Sequence, residues 1–330
     1  MLDFAAGAAR HRGNAMTARH VPLGAMYRWI SGALRLLFAH PGPLLGASVL
    51  MLLAIVLMSA PSLLVMGPLM SHPGQTPESL AAIGFGRVAG MYGVMLVLNL
   101  ALMPPLVLGW FRLLHALDVG GGGRALDLLA PFRDSASWLR GVGYTLLAML
   151  VGLLLVGLFA AAFWTPLTAF MAQASANQAA LAAGLSPSPP DFPGSLVLGY
   201  FLFIVVLGFF QLAYFIGFAE LALRPTSVTA SLGTAVAGVG RNLLRLLAWV
   251  ISLMLAGLVA MLVIGLLLGL VLMALTMISP MAATVGIVLI YVPILLLVYP
   301  LMHAGAYLAW KDVLGDAASS GPPSSESLVA

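Results

Sequence analysis

Six side chains that can titrate or carry charge stand where long apolar runs end: His115, Asp118, Glu220, His303, Lys311 and Asp312. Histidines with carboxylates can ligate a metal or relay a proton. Helical zinc sites show spaced motifs such as HxxxH or HExxH, and neither occurs, so no metal is expected. His115, Asp118, His303, Lys311 and Asp312 fall at the ends of two returning spans and form a candidate edge cluster. With Glu220 they would line one vestibule. Solvated helix ends touching lipid phosphate are the simpler reading of the same residues. Glu220 precedes Arg224 by one helical turn, the spacing of an ion pair. Asn99 and Gln211 are amides inside apolar runs. With Glu220 they mark a candidate intramembrane polar path, although an amide in hydrocarbon more often bonds to a neighbouring helix. Arg28, Arg35, Arg133, Arg140, Arg241 and Arg245 lie in basic amphipathic connections and are expected to contact lipid phosphate. No residue is assigned a catalytic role.

No cofactor is expected. The chain lacks cysteine, which excludes disulfides, thiolate metal sites and thiol nucleophiles. Gly120–Gly123 precedes Arg124 but lacks the Lys-Ser/Thr and strand-to-helix setting of a phosphate loop. A flexible hinge is expected there.

The elements that must position these groups follow from composition. Of 330 residues 62% are apolar and 7% charged, and the mean hydropathy is +1.09. A soluble domain carries about 25% charged residues. This chain cannot cover a globule with polar surface. It is expected to be all-α: an integral membrane bundle of six transmembrane helices. Apolar runs long enough to cross a bilayer occupy 44–66, 88–113, 142–168, 195–219, 247–277 and 283–309. Pro104 and Pro105 lie within the second, Pro293 and Pro300 within the sixth. Each proline frees a carbonyl that a neighbouring helix must cover.

Arginine supplies all but one of the 14 basic residues, and Lys311 is the only lysine. Only Arg87 falls in an outer connection; all the rest fall in the N-terminal region, the two inner connections or the tail. By the positive-inside rule both termini are cytoplasmic. The same bias argues against nucleic acid as a partner, since no basic stripe carries interleaved aromatics. Residues 1–24 are expected to be a flexible N-terminal segment, 25–312 a single membrane domain and 313–330 a disordered cytoplasmic tail. The outer connection at 169–194 has room for a short helix at 170–184.

Residues 25–39 place Arg28, Ser31, Gly32 and Arg35 on one stripe among Trp29, Ile30, Leu34, Leu37 and Phe38, the pattern of an interfacial helix. Segments 125–140 and 226–245 are similar, the latter with Pro225 expected in a first turn. A basic amphipathic segment, a span out, a turn and a span back thus recur three times, with outward spans starting near 44, 142 and 247. Gly265 and Gly269 in the fifth span form a small-xxx-small pair for close packing, within the chain or with a second copy.

Several stretches resemble a family of proteobacterial multi-pass inner-membrane proteins of no assigned activity. They are Val21-Pro22 with Gly24 and Trp29; Leu36-Leu37-Phe38 with His40-Pro41; Pro105 through Gly109; Leu128 through Arg133; Ser231 through Asn242; and Tyr307 through Val313. The resemblance implies a bacterial inner-membrane location and carries over no site residue. The pattern begins near Val21, which leaves Met16 beside Met1 as a candidate initiator.

Three functions compete. A non-catalytic scaffold or envelope- and lipid-associated factor requires nothing the sequence lacks and ranks first. A transporter or conduit for a lipid or other apolar molecule would use Asn99, Gln211 and Glu220. A lipid-headgroup enzyme would use His115, His303 and nearby acids. The expected partners are the phospholipid membrane and either a second copy or another membrane protein.

Overall fold

A computed structural model describes residues 19–22, 24–70, 85–186 and 193–315. Among these residues there are nine α-helices, one 3-10 segment and no strand. The helices are α1 (Ala25–Ala39), α2 (Pro41–Met70), α3 (Phe85–Asp118), α4 (Ser135–Ala162), α5 (Trp164–Ala182), α6 (Gly194–Leu223), α7 (Val228–Arg241), α8 (Leu243–Ile278) and α9 (Pro280–Val313). The 3-10 segment, Ala125–Arg133, precedes α4.

The architecture is an all-α membrane bundle. Five stretches among the described residues have the length and apolarity to cross a bilayer: Pro41–Ser62, Gly86–Asp118, Ser135–Ala162, Gly194–Leu223 and Tyr291–Val313. A sixth is supplied if α7 and Leu243–Leu255, bent by 84°, count as one broken span. The spans pair as three hairpins, α2/α3, α4/α6 and α8/α9.

Four boundaries differ from those expected. The third span does not run to residue 168: α4 stops at Ala162, Phe163 turns the chain, and the outer helix α5 begins at Trp164. The amphipathic stretch 125–140 is not one helix. Asp134 divides it, accepting a bond from the Ala136 amide at 3.1 Å and so capping α4. Pro225 is not in a first turn; Ser227 caps α7 through the Ala230 amide at 3.3 Å. The Gly120–Gly123 run is a helix stop rather than a hinge. Gly120 adopts φ +77°, its amide reaches the Leu117 carbonyl, and Gly121 donates to Ala116 O at 2.7 Å. That is the paired bonding of a Schellman cap, which requires the left-handed residue that glycine supplies.

The proline expectation is met at one place that the structure resolves in detail. Pro105 cannot donate to the Ala101 carbonyl, and the Trp138 indole of α4 donates to it instead at 3.1 Å.

The three hairpins form a closed ring. The 3-10 segment packs on α3, the returning span of the first hairpin. Helix α7 packs on α6, the returning span of the second. Helix α1 packs on α9, the returning span of the third, so the first short helix closes the ring on the last span. Each returning span carries a glycine at the docking level. A Cβ on Gly109 would lie 2.0 Å from Leu128 O of the 3-10 segment. At Gly217 it would lie 1.9 Å from the Tyr144 hydroxyl, and Ser231 of α7 donates to Gly217 O at 2.6 Å. At Gly305 it would lie 2.7 Å from Trp249 Cζ2. Gly46, Tyr144 and Trp249 hold the same place in the three outward spans, two residues beyond 44, 142 and 247. Tyr144 and Trp249 fill the notch opposite; Gly46 instead lets Ala125 approach. The repeat read in the sequence is therefore also a repeat of packing.

Residues 19 and 315 meet at one end of the bundle, here the basal end, where Arg19 N donates to Val313 O at 3.0 Å and the Arg19 side chain donates to Gly315 O. The large buried side chains concentrate there: Trp29, Leu44, Trp110, Phe111, Tyr144, Phe218 and Tyr307. Arg19, Val21, Val313 and Gly315, placed in the expected end segments 1–24 and 313–330, thus bond to the bundle or to one another. Residues 1–18 and 316–330 lie outside the described residues. In the distal halves the apolar side chains face outward, as at Leu53, Val97, Leu154, Phe201 and Leu258. In a bilayer such surface rests against lipid tails at no cost.

Candidate functional site

The basal end gathers the polar side chains into four locks between elements. The first joins α3 to α9. The Lys311 ammonium donates to Asp118 Oδ2 at 2.7 Å, the Tyr307 hydroxyl donates to the same oxygen at 2.9 Å, and His115 Nδ1 lies 3.1 Å from that hydroxyl. Tyr307 and Lys311 are one turn apart on α9, and His115 and Asp118 nearly one turn apart on α3, so two helix ends suffice to build it.

The second lock centres on Glu220, whose side chain is only 3% exposed. It accepts from Arg224 Nη1 at 3.1 and 3.3 Å and from the Trp310 indole at 2.8 Å. Arg224 lies over the Trp310 ring at 5.5 Å and donates to Leu314 O at 2.7 Å. The buried carboxylate is thus met by a cation and a second donor, as low-dielectric burial requires.

The third ties α1 to α9. The Trp29 indole donates to Asp312 Oδ2 at 2.8 Å and Arg28 Nη2 lies 3.4 Å from it. The fourth ties residues 19–21 to the end of α7. Asn242 Oδ1 accepts from Val21 N at 2.9 Å, while its amide nitrogen donates to Arg19 O at 2.7 Å and Gly238 O at 3.1 Å. Asn242 is fully buried with its amide satisfied on both sides.

These positions revise the single vestibule expected. His115, Asp118 and Lys311 do converge, with Tyr307 added. Asp312 turns to α1, and Glu220 belongs to a separate lock. His303 does not join the edge cluster at all. It is buried among Trp110, Phe111, Phe215 and Tyr299, with ring centroids 5.1 to 6.1 Å away. Its Nδ1 lies 2.9 Å from Tyr299 O, an oxygen that can only accept, so Nδ1 carries the proton.

The polar path is not assembled either. Asn99 and Gln211 are both exposed rather than facing a shared lumen, and among the described residues Asn99 reaches only Met58 Sδ at 3.8 Å. Glu220 is closed off by its partners. Gly265 and Gly269 have open space where a Cβ would stand, so no described neighbour packs on them within the chain.

Among the arginines, Arg140 is turned inward, donating to Leu221 O at 3.0 Å and Arg224 O at 3.1 Å. It covers orphan carbonyls at the end of α6, an inward role in place of the lipid contact expected of it. Arg28, Arg35, Arg133 and Arg241 are exposed, and Arg245 is half-buried. Arg112 donates to Ser137 Oγ at 2.7 Å and Ala222 O at 3.2 Å, joining α3, α4 and α6. Outside the spans, the Ser137 hydroxyl, aided by backbone donors, holds the Asp134 carboxyl below its ordinary pKa.

Sequence reasoning missed Trp29, Tyr307, Trp310 and Asn242. For Trp29, Tyr307 and Trp310 the signal was present, a polar tip on an otherwise apolar body; Asn242, a short polar amide, carried no such mark. Among the described residues no group of His, Cys, Asp and Glu is arranged to hold a metal. Comparison of the chain with protein-family models, with curated proteins and with solved structures returns no match.

Proposed function

We propose that this protein is a non-catalytic, lipid-embedded scaffold of the bacterial inner membrane, with its basal end in the cytoplasm. The observation that supports it most is the use made of the basal polar groups. Asp118, Glu220, Asp312, Lys311, Arg224 and Asn242 are all engaged in bonds between elements. An enzyme at this edge would hold an acid or base free for substrate. A conduit would line a path with the intramembrane amides; here they point outward.

The orientation rests on the arginine distribution, which by the positive-inside rule supports a cytoplasmic basal end. The family resemblance supports the bacterial inner membrane. The ring of short segments offers a rigid basic platform at the headgroup level, while the distal hairpin faces remain available to lipid or to another membrane protein.

The test is reconstitution of the full chain in vesicles of phosphatidylglycerol and phosphatidylethanolamine, with lipid composition followed over hours. The scaffold reading expects lipids chemically unchanged and stably bound at the basal face. Turnover of either lipid, lost in His115→Ala, would replace it with the enzyme reading.

A further inference from the structure

Helix α8 carries a ladder at its basal end that no lock uses. Arg245, Trp249 and Leu253 succeed one another at four-residue intervals, so they share one face and descend about 6 Å per step from the basal surface into the membrane. Arg245 Nε and Trp249 Nε1 are both buried and have no hydrogen-bond partner among the described residues. Trp249 is 6% exposed. An indole or guanidinium N–H shut away from water without an acceptor is costly, so each such donor asks for a group that the described residues do not supply.

Trp249 and Leu253 also line a cleft of about 80 Å³ between α1, α8 and α9, closed by Ile30, Ala33, Leu301 and Gly305. Trp29 meets Trp249 edge to face at 5.7 Å and forms the basal wall. Gly305 matters here because its missing side chain is what lets the Trp249 ring lie against α9. The equivalent notch at Gly217 is occupied by Tyr144, whose hydroxyl bonds to the carbonyls of Ala213 and Tyr214, leaving no orphan donor.

We infer that this cleft binds one anionic phospholipid. The chemistry along the ladder matches the molecule from head to tail. Arg245 meets the phosphate, the Trp249 indole donates to the glycerol ester carbonyl, and the first part of one acyl chain lies along Leu253. Guanidinium suits phosphate, which it can grip with two donors. Free phosphate leaves the apolar cleft empty and the indole unpaired, so the ligand is the lipid rather than a soluble anion. The site deepens the scaffold reading and rests on it for the placement of the chain in a phospholipid bilayer.

The test uses the full chain, stripped of lipid in detergent and titrated with 1-palmitoyl-2-oleoyl-phosphatidylglycerol, with bound lipid counted by native mass spectrometry. One tightly held lipid per chain is expected. Arg245→Gln should weaken its retention at least tenfold and Trp249→Phe severalfold, with helix content unchanged by circular dichroism. Glycerol phosphate should not compete, and phosphatidylcholine should bind more weakly. Equal retention by wild type and Arg245→Gln, or full competition by glycerol phosphate, overturns the site. Chemical conversion of a lipid held in an Arg245-dependent way supports the site and overturns the scaffold reading instead.

Discussion

Replacing Glu220 by glutamine tests whether the basal locks hold the bundle together. The carboxylate is 3% exposed and its partner Arg224 12% exposed. Glutamine preserves the shape and can still accept from the Trp310 indole, but it leaves the Arg224 charge without a counter-charge. Breaking one side of a buried pair costs about 3–5 kcal/mol. Arg224 keeps its bond to Leu314 O and its stacking on Trp310, so the lower end, about 3 kcal/mol, is expected. The assay is reversible unfolding in mixed micelles with increasing dodecyl sulfate, read by circular dichroism. Adding Arg224→Met to Glu220→Gln should restore more than about 1 kcal/mol relative to the sum of the single variants, because contacting residues couple. A loss below about 1 kcal/mol for Glu220→Gln, the range of an exposed pair, would refute the reasoning.

Three further predictions concern packing and capping. Gly217→Ala should destabilise by about 1–3 kcal/mol through overpacking against Tyr144, and Tyr144→Ala in the same chain should recover part of it; unfolding of the single and double variants measures this. Gly109→Ala should cost more than Gly217→Ala, because the atom it meets is the Leu128 backbone carbonyl and no side chain can rotate away; a smaller loss would place the 3-10 segment elsewhere. Asp134 has a folded-state pKa below its unfolded value, so its contribution is present in full above about pH 4 and is lost as pH falls through the folded value. The stability difference between wild type and Asp134→Ala should therefore stay level from pH 8 to pH 5 and shrink only in stronger acid, a profile that unfolding at stepped pH would show.

Much of this architecture was legible in the sequence because a bilayer imposes one rule on every span. Apolar runs of sufficient length marked the long helices to within a few residues at most ends. The miss at α4 has a local cause. Residues 163–168, Phe-Trp-Thr-Pro-Leu-Thr, are apolar enough to extend a span, but Phe163 leaves the helix and packs its ring on Gly199. Hydropathy records apolarity and says nothing of direction. Gly120–Gly123 misled for a related reason, since glycine serves both a hinge and a Schellman stop, and only the bonds from Gly120 and Gly121 separate the two.

The edge cluster was half legible. His115, Asp118 and Lys311 were placed together because they share the ends of two antiparallel spans. His303 was misplaced by depth: it lies two turns before Lys311, inside the aromatic layer rather than at its rim. The polar path failed because a position along a helix does not give a facing direction, and Asn99 and Gln211 face outward. The three-fold recurrence was visible as a period. Its meaning required contacts, because the sequence does not say that α1 docks on α9.

That closure is the claim on which the scaffold account depends most. Because the chain has no cysteine, a pair introduced by Gly32→Cys and Leu308→Cys can be read without background. In the structure a Cβ on Gly32 would lie 2.7 Å from Leu308 Cδ1. The measurement is cross-linking of this variant in native membranes with a short bis-methanethiosulfonate reagent. The account predicts an intramolecular cross-link that forms at every expression level. Absence of a cross-link in folded protein, or one that joins only two chains, would contradict the closed ring.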